Sequence, residues 1–107
     1  MQPGFDIEIS SGPPTTLTAR LAGELDRVAR PSVTDQVTAA LDGEAEVERV
    51  VVDPGAVKLC DSSGLGALLD IRRVAGNSGA SIVLRSPSAG VARVLDIAGI
   101  DDLLPRE

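Results

Sequence analysis

At 107 residues, with 43% of them hydrophobic, the chain is sized for one domain, residues 1–107, and is too apolar for a disordered tail. It has no His and a single Cys, Cys60, which excludes imidazole acid–base chemistry, a Ser-His-Asp triad, His-ligated or thiolate-cluster metal sites and an internal disulfide. The net charge of −6 and the lack of Tyr and Trp argue against nucleic acid and favour a basic protein surface as partner.

Nothing in the composition calls for a cofactor. A lone thiol with no signal peptide and no long apolar span reads as a cytoplasmic chain without membrane insertion.

In chain order, Phe5, Ile7 and Ile9 alternate with Asp6 and Glu8, the period of a half-buried strand. Residues 10–14 (SSGPP) read as a turn. Leu17, Ala19 and Leu21, alternating with Thr16, Thr18 and Arg20, read as a second strand, so the pair predicts an antiparallel hairpin. Glu24 and Asp26 fall in a loop of solvated carboxylates. Pro31 suits the first turn of a helix, with Val33, Val37, Ala40 and Leu41 as its apolar stripe and Gly43 as its stop.

The unbroken apolar runs at 50–52 and 82–84 predict strands covered on both faces. Between them, residues 62 to about 75 are predicted helical. A third helix is expected over about 87–98, with Ser86 as cap, Val91, Val94, Leu95 and Ala98 as its buried stripe, and Gly99 just past its end. Leu103 and Leu104 predict a last short strand before Pro105. The order β-β-α-β-α-β-α-β implies an α/β fold: a mixed, mostly parallel sheet with an N-terminal hairpin and three helices.

The stretch at 59–69 (LCDSSGLGALL) is the least ordinary. Asp61 and Ser62 stand where a helix begins, and either can cap its free N–H groups. The helix dipole makes this end favourable for an added anion. Gly64 and Gly66 weaken a helix by roughly 0.8–1 kcal/mol each relative to Ala, and a bare start lets another backbone approach. At about 100° per residue, Gly66, Asp70 and Arg73 share one side. Ala67, Leu68, Ile71, Val74 and Ala75 share the other, with Leu69 at the border. That apolar arc is wider than one sheet face needs, and the excess is a candidate partner patch beside Ser62. Asp-Ser-Ser-Gly is also an ordinary turn-and-cap string, and on those four residues alone the cap reading is the stronger. Cys60 reads as a small buried apolar residue.

Three separated segments resemble the STAS domain family, named for sulphate transporters and anti-sigma-factor antagonists. Residues 21–26 (LAGELD) are similar to its Gly-Glu-Leu-Asp loop after the second strand, 61–66 (DSSGLG) to its phosphorylation segment, and 93–100 (RVLDIAGI) to its third helix and Gly-terminated end. The resemblance implies a STAS-type fold and a stand-alone anti-sigma factor antagonist rather than an enzyme. Unphosphorylated, such a protein binds an anti-sigma factor that is itself a serine kinase and releases the sigma factor. Phosphorylation of the serine after the Asp, here Ser62, ends the binding, and a serine phosphatase resets it. The partner surface so implied comprises Asp26, Asp61, Ser63, Gly64, Leu65, Gly66, Leu69 and Arg73. Asp70 and Cys60 depart from the family's pattern, and Asp70 makes the partner face more acidic.

Two other uses compete. A STAS subunit of a phospholipid or other transport ATPase complex would dock through the same helix without phosphorylation. Gly66 and the Gly-Glu-Leu-Asp loop tilt against it. A serine hydrolase using Ser62 lacks a base, since Lys58 is the only Lys near the motif.

Overall fold

The structure, a computed structural model, describes residues 4–12, 15–44 and 46–107. Four strands form one sheet in the order β1-β2-β3-β4: β1 Phe5–Gly12, β2 Thr16–Leu25, β3 Arg49–Cys60 and β4 Ser81–Leu84. β1 and β2 pair antiparallel, from Phe5 opposite Gly23 to Gly12 opposite Thr16. β2, β3 and β4 run parallel. The predicted turn is shorter than expected, because Ser10, Ser11 and Gly12 remain in the β1 ladder. Its Pro13 and Pro14 lie outside the described residues.

Parallel neighbours need crossover helices. These are α1, Arg30–Gly43, between β2 and β3, and α2, Ser62–Asn77, between β3 and β4; α3, Ala89–Ala98, follows β4. Two successive crossovers of the same hand place α1 and α2 on one face of the sheet. The core accordingly joins Leu17, Leu21 and Leu25 of β2 and Val50 and Val52 of β3 to Val33, Val37 and Leu41 of α1 and Leu68 and Ile71 of α2. Val51 points to the opposite face and is buried as well, as its unbroken run predicted, whereas Val83 in β4 is only half-buried. Among the described residues no helix is long and apolar enough to cross a membrane.

β3 outruns its apolar core because its pairing with β2 slips twice, between Arg20 and Ala22 and between Gly23 and Glu24. Each slip inserts an extra residue on β3 and breaks strict alternation. Val57 and Cys60, three apart, therefore both turn inward, and Leu59 turns out. β2 likewise extends through Leu25, so Glu24 is a strand residue and not part of a loop. Gly23 adopts φ +90° where β2 passes so close to β1 that Glu24 N–H donates to the Gly4 carbonyl at 2.5 Å.

The helix ends differ in detail from the sequence reading. Gly43 is the last residue of α1, which closes through an extended Glu44 whose N–H bonds the Leu41 carbonyl at 3.3 Å. α3 starts two residues later than expected. Its cap is Ser88, whose hydroxyl accepts from Val91 N–H at 3.3 Å, while Ser86 sits in a φ +46° turn. Gly99 ends α3 in the left-handed conformation as predicted. Of the α3 stripe, Val91 and Leu95 are buried, Val94 half-buried and Ala98 exposed. No strand forms at Leu103 and Leu104. Leu104 is buried from a turn, and the sheet gains only a single parallel bridge between Leu84 and Arg106.

Candidate functional site

Leu25 and Cys60 are register partners at the carboxyl ends of β2 and β3. The residues that follow, Asp26 and Asp61, therefore leave the sheet at the same level; Asp61 caps α2 directly, and Asp26 begins the turn into α1. This end of parallel strands, where chains turn into helix starts, is where α/β sheets carry their sites. Asp26 Oδ1 accepts from the N–H groups of Val28 and Ala29, both at 3.0 Å, and its carbonyl accepts from Arg30 N–H at 3.1 Å. Its carboxylate thus holds the turn into α1 rather than standing in solvent.

Asp61 is the cap of α2. It is extended, its Oδ1 accepts from Gly64 N–H at 2.9 Å, and its carbonyl accepts from Leu65 N–H at 2.9 Å. Of the two capping candidates the aspartate takes the position, and Ser62 becomes the first helical residue. Ser62 is exposed, and among the described residues nothing hydrogen-bonds its hydroxyl. No base touches it there, so the contacts that activate a serine nucleophile are missing from the described residues.

The two glycines serve contacts inside the chain. A β-carbon on Gly64 would collide with the Leu25 carbonyl oxygen and stand 2.8 Å from Cys60 Sγ. Gly64 is buried and faces the end of β2. A β-carbon on Gly66 would stand 2.5 Å from Nη1 and 2.7 Å from the central carbon of the Arg30 guanidinium. The bare helix start expected to admit a partner is occupied by β2 and by Arg30.

That guanidinium continues along α2 to Asp70, donating from Nε to Oδ2 at 2.7 Å and from Nη2 to Oδ1 at 3.3 Å. Arg73 Nη2 lies 3.9 Å from Oδ1 of the same carboxylate, and the Thr34 hydroxyl donates to Oδ2 at 3.4 Å. The Arg30 hydrogen bond, reinforced by charge and by Thr34, holds the Asp70 carboxyl below its ordinary range and raises Arg30. The expected extra acidity of this face is thereby matched by two arginines.

The wide apolar arc of α2 is also used internally. Ala67, Leu68, Ile71, Val74 and Ala75 are buried in the core, because α2 packs against α1, α3 and the sheet together. What remains outside is Leu65 and Leu69, both half-buried. Ser62, Leu65, Gly66, Leu69 and Arg73 recur at helical spacing along one outward stripe, with Ser63 half-buried beside them. Gly64 does not share it. Two apolar side chains that the periodicity missed stand at this end of the sheet: Leu59 is 54% exposed at the end of β3 and Val28 67% exposed in the turn into α1. The signal for Leu59 was an apolar residue two positions before a cap, hidden by the bulges in β3.

Cys60 is buried, and desolvation, with the Asp61 charge adding to it, pushes its thiol up to about 11. It is a packing residue, as expected. Among the described residues no group of three or more acidic or Cys side chains gathers where a metal could be held.

A family model described as "Mlab, STAS domain" matches residues 11–105. The chain is 29% identical over 89 residues to an anti-sigma F factor antagonist of Paenibacillus polymyxa, a match spanning 83% of this chain and 75% of that protein. Its fold is similar to that of the anti-sigma factor antagonist SpoIIAA in its unphosphorylated form, with a TM-score of 0.77, 22% identity, and coverage of 95% of this chain and 88% of the other. The phosphorylated form of SpoIIAA, described as a Bacillus cell fate determinant, is similar at a TM-score of 0.70 and 22% identity, covering 95% and 91%. At such identities the two structures speak for the fold.

Proposed function

We propose, from the premise that the chain belongs to the STAS domain family, that it is an anti-sigma factor antagonist switched by phosphorylation of Ser62. Unphosphorylated, it binds an anti-sigma factor with serine-kinase activity and frees the sigma factor. The observation that carries this reading is the division of labour at the start of α2: Asp61 is the cap, and the adjacent Ser62 hydroxyl is exposed and unengaged among the described residues. A serine that capped the helix could not be esterified without loss of the cap. This one can.

In the step itself Ser62 Oγ attacks the γ-phosphorus of ATP, the bond to the β-phosphate oxygen breaks, ADP leaves, and the hydroxyl proton passes to a base of the kinase. The product adds about −1.5 to −2 charges to the surface at pH 7. The N-terminal end of the helix tolerates that charge, so the fold survives while the contact face becomes more negative. A like charge within about 4 Å costs roughly 1 to 4 kcal/mol between bulk water and a surface dielectric, which weakens a complex about fivefold at the low end and by well over a hundredfold at the high end. A serine phosphatase, adding water and releasing inorganic phosphate, restores binding. The relatives named as anti-sigma factor antagonists, one of them described in both unphosphorylated and phosphorylated forms, support the assignment.

The test is intact mass and peptide mapping after incubation with ATP and the candidate anti-sigma kinase. One phosphate on Ser62, absent from Ser62→Ala, is expected, with Ser62→Ala binding the kinase and Ser62→Asp binding at least tenfold worse. Equal binding by both variants, or phosphate only on Ser63, sinks the switch.

A second reading has observations of its own. The matching family model is described as Mlab and not as an antagonist, and Gly66, which tilted the choice toward a kinase, is accounted for by Arg30. A non-phosphorylated STAS subunit docked on a transport ATPase through α2 predicts no phosphate and tight binding to that ATPase instead.

A further inference from the structure

Ser62, Gly66 and Asp70 are spaced four apart on α2, so they lie one above another on a single stripe, about 6 Å of axis between each pair. The Arg30 guanidinium lies across this stripe. It rests on Gly66, where a side chain would displace it, and reaches Asp70 in one direction. Ser62 is the same number of residues away in the other. We propose that Arg30 is the intramolecular ligand of the phosphate on Ser62, exchanging Asp70 for the phosphoserine when the switch is set. This rests on the reading of Ser62 as the phosphorylated residue.

Four features support the exchange. A phosphate dianion presents more charge and more acceptor oxygens than a carboxylate, and a planar guanidinium meets it with two parallel N–H donors. The Arg30 side chain is 43% exposed, so its far end is free to swing. Asp70 is not abandoned, since Arg73 already lies 3.9 Å from it and the Thr34 hydroxyl 3.4 Å. The backbone of Arg30 is fixed by the Asp26 carbonyl, so the motion stays within the side chain. The consequence is a phosphorylated face in which α1 and α2 are tied at their starts and the phosphate is partly neutralised from within. Exclusion of the partner then rests on the bulk of the ester and the rearranged pair as well as on charge.

The experiment uses the full chain with phosphoserine installed at position 62 during synthesis, so its outcome does not depend on any kinase. The Arg30 Nε–Hε resonance and the Asp70 carboxyl carbon are expected to shift on phosphorylation. The phosphorus resonance of the Arg30→Gln protein is expected to differ from that of the parent, while Arg72→Gln, an exposed arginine with no ion pair among the described residues, leaves it unchanged. An unmoved Arg30 resonance with identical phosphorus spectra overturns the proposal. So does a phosphorus resonance that follows Arg73→Gln and ignores Arg30→Gln. Failure of the kinase to label Ser62 would count against the switch and leave this result standing.

Discussion

Gly64 of α2 faces the carbonyl oxygen of Leu25, the last residue of β2, with Cys60 Sγ crowding the same position. Neither neighbour can yield, since one is backbone and the other is buried in the core. Gly66 differs: its obstacle is the end of an exposed arginine. Ala is better than Gly in a helix by about 0.8–1 kcal/mol, so Gly66→Ala is expected to be neutral or stabilising by up to that amount once Arg30 moves aside. Gly64→Ala is expected to lose about 1–3 kcal/mol to overpacking. Urea midpoints at constant m separate the two, and similar midpoints would refute the different roles given to these glycines.

The cap predicts a second contrast one residue apart. Asp61→Ala removes an oxygen that holds Gly64 N–H and is expected to cost about 0.5–2 kcal/mol. Ser62→Ala removes a hydroxyl that is bonded to nothing among the described residues, and belongs with surface changes of about 0.5 kcal/mol or less. Thermal unfolding of the two variants side by side measures this. A Ser62→Ala loss as large as that of Asp61→Ala would mean the serine is structural after all.

The alternation around Phe5 and Leu17, the Val50 run and the α2 stripe made the sheet and its crossovers legible from the sequence, because period and burial agree there. Legibility failed wherever a tertiary contact overrode local pattern. Leu59 points outward because β3 slips against β2, a relation between strands that no window on one strand contains. Gly66 looked like an opening for a partner because its occupant, Arg30, lies 36 residues upstream. The α2 apolar arc looked spare because the docking of α1 and α3 on that helix cannot be read from the helix itself. Ser86 was the expected cap of α3, but its φ of +46° puts it in a turn, and Ser88, two residues on, takes the position.

The thiol of Cys60 gives a pH prediction. Its folded value, about 11, stands above an ordinary value of 9.0, chiefly through desolvation. The fold therefore favours the neutral thiol, and the stability this confers is full below pH 9 and lost as pH rises toward 11. The loss is expected to be on the order of 1–2 kcal/mol and to vanish in Cys60→Ala, whose difference from the parent isolates the thiol from other alkaline titrations. Urea midpoints for both proteins at pH 7, 9 and 10.5 decide it: parallel curves rule the effect out. At pH 7 the same burial should leave the thiol slow toward a disulfide reagent until the protein unfolds.

Leu59 supplies the last prediction, on the surface that a partner would meet. It is 54% exposed, two residues before the α2 cap, and is turned out by the same bulge that turns Cys60 in. An apolar side chain held outward on the strand that leads into α2 is placed to be buried by a contact that also covers Ser62, and removing it takes apolar area out of that contact. Leu59→Ser is expected to leave stability within about 0.5 kcal/mol and to weaken binding to the anti-sigma kinase about tenfold, or 1.4 kcal/mol, mainly through faster dissociation. Ile97 on α3 is 78% exposed and is the control, since Ile97→Ser removes more exposed apolar surface elsewhere. Binding lost with Ile97→Ser and kept with Leu59→Ser would move the interface to α3 and away from Ser62.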